Sequence, residues 1–169
     1  MDEEQQRDQL EPEQTGRLIY WVQYVLVPMG QVPREVPWHE DCMRDAAVGV
    51  TSPGERSDVA GVRRCCWYHS GDWDAVTRTA VRLIAQVEAT GVEENYQLCQ
   101  QVLDAARADG MSGWPLQALR SLVKDPILIR KDAKLRSVID GGQHRIRAMR
   151  DAGLTEVLVG NPRWRREDL

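Results

Sequence analysis

The spacing of apolar residues predicts three helices in the middle of the chain. Between residues 73 and 89 apolar side chains recur every three or four positions, and Asp72 and Gly91 are suited to start and stop a helix. A similar stripe predicts a second helix over 93–108. A third is predicted to start at Pro115, because proline fits the first helical turn. We expect the first two helices to form an antiparallel pair whose stripes pack in the core.

Runs of β-branched and aromatic residues predict strands on either side of these helices. The predicted strands are 18–27, 126–130, 136–140 and 155–159, with a further helix over 143–152. Helices and strands therefore mix along the chain, which predicts the α/β class. The helical pair is expected to be an insertion at about 35–113 within a single domain over 17–160.

The segments outside these elements are predicted to be irregular. Residues 1–16 are polar and acidic, which predicts a disordered acidic tail. Residues 33–72 contain several prolines and glycines without a sustained period, which predicts a loop with a short helix near 40–47. Residues 161–169 are expected to form a basic tail.

Charge is distributed unevenly along the chain. The 169 residues together carry a formal net charge of −4. Residues 1–16 have six acidic residues and one arginine, whereas residues 114–169 have twelve basic and seven acidic residues. A basic carboxyl-terminal third favours polyanions as partners at that end. The chain has no apolar run that could span a bilayer and begins with acidic residues rather than a basic signal sequence, so we expect a cytoplasmic protein without a membrane partner.

The segment from Ser137 to Gly153 contains the strongest candidate site. A short apolar strand leads into Gly141 and Gly142, and a cationic helix begins at once. Glycines let backbone amides approach an anion closely, and the unpaired amides and dipole of a helix start favour the same ligand. Gln143, His144 and Arg145 add donors in the first turn, so the segment predicts a phosphate-binding corner. Arg147 lies on another side of the helix, and we expect it to contact an acidic residue or a polynucleotide instead.

This segment resembles the phosphate-binding motif of the ParB/sulfiredoxin superfamily, in which a strand, Gly-Gly-x-His-Arg and a helix follow in this order. Residues 126–130 and 154–159 resemble the strands that flank the motif, and residues 27–34 resemble the family's entry segment. The resemblance implies a small mixed sheet, a nucleotide ligand (ATP or CTP) with Mg²⁺, and a phosphate contact from Arg34. It covers about a third of the chain.

Two departures from the family narrow the implied function. Sulfiredoxins have their catalytic cysteine where this chain has Gln143, and an amide cannot replace a thiolate nucleophile, so sulfinic-acid reduction is excluded. Few residues follow the motif, so we do not expect the helix-turn-helix region of partition proteins. The resemblance then implies a nucleotide hydrolase or a nucleotide-gated DNA-associated protein. NTPase, nuclease-like and phosphotransferase activities all remain open.

Three acidic or imidazole side chains are candidates for catalysis. Glu35 and His39 follow Arg34 closely, within a cluster that includes Glu40 and Asp41 and that could hold Mg²⁺ or supply a general base. Asp140 directly precedes the glycines and is an alternative carboxylate on the Mg²⁺ side. Each could equally be a solvated loop or turn residue.

Cysteines and histidines between residues 39 and 69 suggest a structural zinc site as an alternative. The pairs His39-x-x-Cys42 and Cys66-x-x-His69 have spacings that zinc can use. However, adjacent cysteines such as Cys65 and Cys66 rarely both bind one ion, and free cysteines are often buried as apolar residues. We therefore expect none of these cysteines and histidines to be a metal ligand. The aromatic residues Trp67, Tyr68 and Trp73 are expected to pack this loop rather than to stack on bases.

A second class of function competes with nucleotide binding. The same basic corner, helped by the arginines and Trp164 of residues 161–166, could contact the phosphates of DNA in a non-catalytic regulatory module. A nucleotide is the expected partner, DNA is the alternative, and a homodimer is left open.

Overall fold

The chain folds into an α/β arrangement in which three helices separate the first strand from the other strands. The computed structural model describes residues 17–36, 43 and 66–167. Its elements are strand β1 (Arg17–Pro28), a 3-10 turn (Met29–Gln31), helices α1 (Trp73–Glu88), α2 (Asn95–Ala108) and α3 (Gly113–Lys124), strands β2 (Leu128–Lys131) and β3 (Ser137–Gly141), helix α4 (Gln143–Asp151) and strand β4 (Glu156–Glu167). The α/β class predicted from the sequence is confirmed.

The strands form two antiparallel pairs. Strand β1 pairs with β4 along its whole length, from Arg17 opposite Glu167 to Pro28 opposite Glu156. Strand β2 pairs with β3, with an irregularity between Leu128 and Ile129. A parallel bridge from Ile127 to Val159 connects the two pairs, and the Gly160 amide donates to the Ile127 carbonyl at 2.9 Å. The start of β2 is therefore held against the middle of β4.

The three predicted helices are confirmed with small shifts at their ends. The carboxylate of Asp72 accepts a hydrogen bond from the Ala75 amide at 2.9 Å, which caps α1 as its sequence predicts. Helix α3 begins at Gly113, slightly before Pro115. Helices α1, α2 and α3 pack on one another, and their apolar stripes form a core with β4 and α4.

The largest difference from the sequence prediction is the length of β4. The predicted strand ended at 159 and was followed by a basic tail, whereas the observed strand continues to Glu167 and pairs with the first half of β1. Residues 161–167 are therefore one side of a two-stranded ribbon.

Two predictions lie outside the described residues. These are the acidic tail over 1–16 and, apart from Met43, the short helix near 40–47. Within the described segments, every helix is too short or too polar to cross a membrane.

Candidate functional site

The corner between β3 and α4 depends on glycine for its backbone geometry. Gly142 has a φ angle of +88°, in the left-handed region that favours glycine. A Cβ atom on Gly142 would also lie 2.7 Å from Cγ1 of Ile127. In contrast, a Cβ on Gly141 would meet nothing closer than the Pro126 carbonyl oxygen at 3.9 Å. Gly142 is thus required by the fold, while Gly141 leaves open space at the corner.

A cavity of about 290 Å³ lies at the amino-terminal end of α4. It is lined by Met43, Tyr68, Asp125, Asp140, Gly141, Gly142, Gln143, His144 and Arg145. Within the described part of the chain, no side chain caps the first turn of α4, so the partial positive charge of its amides faces this end without a capping oxygen from those residues. The structure therefore brings five of the six residues assigned to nucleotide binding to one cavity.

The side chain of Arg145 points into the protein rather than into open solvent. It is 3% exposed, and its Nη1 donates to the carbonyl oxygens of Ser121 and Asp125. Its Nη2 lies 3.2 Å from an Asp125 carboxylate oxygen that is largely exposed. Burial lowers the pKa of Arg145, although a guanidinium stays charged. Arg145 therefore links the end of α3 to α4, and a phosphate at its guanidinium would have to replace these bonds.

Gln143 also has both ends of its amide engaged within the protein. Its Oε1 accepts from the Val36 amide at 2.9 Å, and its Nε2 donates to the Ile139 carbonyl at 3.0 Å. Arg34 is also assigned to phosphate, but it is exposed on the entry segment and is not among the described residues that line the cavity. Backbone amides and His144 are accordingly the groups best placed to meet an anion.

The three residues proposed for catalysis lie in different places. Asp140 is on the rim of the cavity and forms an ion pair with Arg130 at 2.7 Å. Glu35 is buried, and its Oε1 accepts from Nε of Arg150 at 2.8 Å, while its Oε2 has no hydrogen-bond partner in the described part of the chain. This ion pair attaches the entry segment to α4. His39, with Glu40 and Asp41, lies outside the described residues.

A second group of side chains meets the corner from the loop before α1. The Cys66 sulfur lies 3.2 Å from Nδ1 of His69 and 3.3 Å from Nε2 of His144. These three donor atoms all lie within 4.8 Å of one another. His144 therefore belongs both to the cavity lining and to this Cys66–His69–His144 cluster. Cys42, Cys65 and His39, which the sequence suggested as partners, are outside the described residues.

Asp151 orients the buried ring of His69. Its Oδ2 accepts from Nε2 of His69 at 3.0 Å and from Nε of Arg147 at 2.9 Å. The His69 side chain is 1% exposed and that of Asp151 is 13% exposed, so these bonds form largely away from water. Of the two roles left open for Arg147, an acidic residue or a polynucleotide, the structure shows the contact with an acidic residue.

Hydrogen bonds within the cluster change the acidity of its members. Burial alone would raise the pKa of the Cys66 thiol, but bonds from His144 and His69 outweigh it and lower that pKa to about 5. Burial would lower the pKa of His69, yet its bonds to Asp151 and Cys66 raise the pKa above the usual value. The ion-free cluster therefore favours a thiolate beside an imidazolium.

Tryptophan side chains hold the loop that carries Cys66 and His69. The indole nitrogen of Trp114 donates to the Trp67 carbonyl at 2.7 Å, and that of Trp73 donates to the Tyr68 carbonyl. A Cβ atom on Gly71 would lie 2.3 Å from the Trp114 ring, so the loop passes against α3 without space for a side chain. The expectation that Trp67, Tyr68 and Trp73 pack this loop is confirmed. Tyr68 in addition stacks on His144 with ring centroids 4.2 Å apart.

The histidine shared by the loop cluster and the glycine corner was not predicted from the sequence. Cys66 and His144 are 78 residues apart, and no local pattern places them together. One signal was present in α4: residues seven apart lie on the same helix face, which places His144 above Asp151, with Arg147 between them.

A larger cavity, of about 480 Å³, lies elsewhere between β1 and α2. Its lining is mainly Leu18, Ile19, Tyr20, Tyr96 and Cys99, with one lysine and one glutamate. It includes the start of α2, which likewise has no side-chain cap among the described residues, but the cap residue there is the acidic Glu94 and the lining has neither a glycine nor a histidine. Size alone therefore does not make it the better candidate for an anion.

No protein-family model, no curated protein and no solved structure matches the chain. The resemblance to the ParB/sulfiredoxin superfamily therefore stays a prediction from the motif at 137–153, its flanking strands and the entry segment at 27–34.

Proposed function

We propose that the protein binds the phosphate groups of a nucleotide, ATP or CTP with Mg²⁺, at the corner between β3 and α4. The observation that supports this most directly is the uncapped start of α4 facing a cavity lined by Gly141, Gly142 and His144. Backbone amides at a helix start bind phosphate without a dedicated cationic side chain. The ParB/sulfiredoxin resemblance likewise implies phosphate binding at a strand-Gly-Gly-helix corner.

The volume of the cavity suits part of a nucleotide. At about 290 Å³ it is at the lower end of the range for small-molecule sites. The phosphates and the sugar are therefore the groups expected inside, with the base towards the opening. Tyr68, whose ring stacks on His144, lies in the same lining.

The carboxylates on the rim explain why a metal ion is part of the proposal. Asp125 and Asp140 line the cavity, and each lies beside an arginine. Their carboxylates are still unfavourable neighbours for a phosphate chain unless a further cation lies between them. Mg²⁺ bound to phosphate oxygens prefers one or two carboxylates in addition, and these residues could supply them. Asp140 is then a metal-side residue, which is one of the roles that the sequence suggests for it.

DNA binding by the same corner is the alternative function. Its strongest support is the basic composition of residues 114–169. However, two arginines of β4 are engaged within the ribbon region: Arg163 donates to Gln23, and Arg165 pairs with Glu93. DNA would have to compete with these contacts, whereas a nucleotide at the α4 corner would not. The mononucleotide therefore remains the preferred ligand.

Thermal unfolding with ATP, CTP or GTP, each with and without Mg²⁺, tests the proposal. Ligand at about one hundred times its Kd stabilises a protein by about 2.7 kcal/mol, which raises the melting temperature measurably. We expect ATP or CTP with Mg²⁺ to do so. Gly141→Val places a side chain in the cavity lining without a backbone clash and should abolish the shift.

Gly30→Val is the matched control, because a Cβ there meets nothing within 4 Å and Gly30 is not in the described lining. It should keep the full shift. Gly142→Val is unsuitable for this test, since strain at its positive φ and the contact with Ile127 would disturb the fold itself. Stabilisation that is equal in wild type and Gly141→Val, or absent for every nucleotide, would contradict the proposed site.

A further inference from the structure

We propose that Cys66, His69 and His144 bind a zinc ion. One thiolate sulfur and two imidazole nitrogens are the ligand set that zinc prefers, and all three donor atoms converge within 4.8 Å of one another. This set differs from the one considered from the sequence, because His144 joins it from α4. It also departs from the expectation of no metal ligands.

The distances from the Cys66 sulfur to the two imidazole nitrogens are close to those of tetrahedral coordination. With zinc–sulfur and zinc–nitrogen bonds of about 2.3 and 2.0 Å, neighbouring ligand atoms of a tetrahedron are about 3.3 to 3.6 Å apart. The observed separations from the Cys66 sulfur are 3.2 Å to His69 and 3.3 Å to His144. The two imidazole nitrogens lie within 4.8 Å of each other. Binding of one ion therefore requires the rings to reach a tetrahedral separation from each other, in addition to a slight movement away from the sulfur.

The groups behind the donor atoms are those that orient metal ligands. Asp151 accepts from Nε2 of His69 at 3.0 Å, which directs the opposite nitrogen, Nδ1, towards the Cys66 sulfur. Histidine ligands of zinc usually donate their other ring nitrogen to a carboxylate in this way. Arg147 in turn holds Asp151 at 2.9 Å. A single helix face thus supplies one ligand and the carboxylate that orients another.

The framework positions the ligands by packing. Trp73 and Trp114 donate to carbonyls of the loop that carries Cys66 and His69, and Tyr68 stacks on His144. A site that is largely formed before binding loses less entropy when the metal enters. Three described ligands leave a fourth tetrahedral position for water or another residue.

This inference does not depend on nucleotide binding, although His144 both lines the nucleotide cavity and belongs to the proposed zinc site. The zinc ligands are the side chains of Cys66, His69 and His144, whereas the phosphate contacts are chiefly backbone amides at the start of α4, so His144 is the residue that the two proposals share. A divalent ion bound to His144 would nevertheless add positive charge beside the cavity. Failure of nucleotides to bind would leave the zinc proposal intact.

Zinc content and cobalt spectra of the full-length chain test the proposal. After chelator treatment and titration with zinc, we expect one tightly bound ion per chain in wild type. Cobalt(II) in place of zinc should give the charge-transfer absorption of a thiolate ligand and the visible bands of a tetrahedral site. Cys66→Ser should lose the thiolate absorption, and His144→Ala should lose stoichiometric binding.

Cys99→Ser is the matched control, because this buried cysteine lies on α2 and donates to the Val123 carbonyl. It should keep both zinc and the cobalt spectrum. Asp151→Asn keeps all three ligands and should weaken zinc binding by about 10- to 100-fold, as loss of an orienting carboxylate does elsewhere. Circular dichroism of each variant identifies any that fails to fold.

Two results would overturn the proposal. One is a folded wild-type chain that takes up no zinc and gives no tetrahedral cobalt spectrum. The cluster would then be a thiolate–imidazolium pair without a metal. The other is zinc that is retained by Cys66→Ser but lost from Cys65→Ser or Cys42→Ser, since the ion would then be held by a different set of residues.

Discussion

The guanidinium of Arg145 stabilises the junction between α3 and α4. It is almost completely buried, and its bonds to the carbonyls of Ser121 and Asp125 satisfy groups near the end of α3. Truncation leaves these carbonyls without their donor. We therefore expect Arg145→Ala to lower the free energy of unfolding by about 3 kcal/mol, measured by urea denaturation. The exposed Asp125 carboxylate contributes little of this, because solvent screens it.

Arg163→Ala is the control for this prediction. Arg163 is also an arginine that donates to an amide oxygen, that of Gln23, but it is exposed on β4. Its removal should change the unfolding free energy by less than about 0.5 kcal/mol. Equal effects of the two substitutions would show that burial of Arg145 is not what makes it important.

The acidity of Cys66 gives a pH-dependent prediction for the metal-free protein. Because hydrogen bonds from His144 and His69 lower the pKa of this thiol to about 5, its thiolate fraction should rise as pH increases through that value and then level off. The thiolate fraction of an ordinary cysteine reaches its midpoint near pH 8.5, about 3 to 4 pH units higher. Iodoacetamide labelling of chelator-treated Cys65→Ser protein, followed by mass spectrometry, measures the midpoint for Cys66.

Cys99 provides the internal comparison, since burial raises the pKa of its thiol. It should stay unlabelled over the same pH range. A Cys66 midpoint close to that of an ordinary cysteine would mean that the imidazole contacts do not persist in solution.

At the scale of elements, helices were easier to predict than strand ends because their signals are local. The cap joins Asp72 to Ala75, three positions later in the chain. Gly91 and Gly110, both with positive φ angles, lie two or three residues after helix ends. The stripe of apolar residues then fixes which face is buried. None of these features depends on distant parts of the chain.

The end of β4 could not be predicted from the same local signals. Asn161 and Pro162 are typical of a turn, and proline cannot donate to a strand partner. In the structure, Pro162 lies opposite Val22 in a ribbon of only two strands, where one edge of β4 needs no partner. Pairing with β1, at the other end of the chain, outweighs the local preference.

This pairing predicts that the last residues stabilise the fold. Ile19 and Val22 of β1 are 6% and 2% exposed. Truncation after Gly160 removes the partners of residues 17–23, and partial exposure of the two apolar side chains should cost about 2 to 4 kcal/mol. Urea denaturation of the truncated chain measures the change.

Removal of residues 168–169 alone is the control, because the last pair in the ribbon is Arg17 with Glu167. It should leave stability unchanged. If truncation after Gly160 also has no effect, the outer half of the ribbon does not contribute to the folded state.

The candidate site illustrates which part of a site a sequence can predict. The glycine corner was predictable, since strand, glycines and helix start are neighbours in the chain. The inward direction of Arg145 was not, because its acceptors are 20 or more residues away. The cluster of Cys66 with His144 likewise depends on how the loop packs against α3. Contacts of this kind follow from tertiary packing and have no sequence period.

For the whole molecule, salt dependence separates the two classes of function. Binding of a polynucleotide through 6 to 10 phosphate contacts weakens by about 10³ to 10⁵ between about 50 and 200 mM salt. A nucleotide held by backbone amides in a cavity is screened much less. Point changes such as Arg163→Gln are better probes of DNA contact than deletion of the last residues, because deletion also unpairs β1.

Calorimetric titration of ATP or CTP with Mg²⁺ at about 50 and 200 mM salt tests the central claim most directly. We predict one nucleotide per wild-type chain, with an affinity that changes less than about tenfold over this range. Gly141→Val should weaken binding at least about tenfold, a loss of about 1.4 kcal/mol or more, while Gly30→Val binds normally. Absence of binding by every nucleotide, or an affinity that collapses with salt in wild type and both variants alike, would contradict a phosphate site at the start of α4.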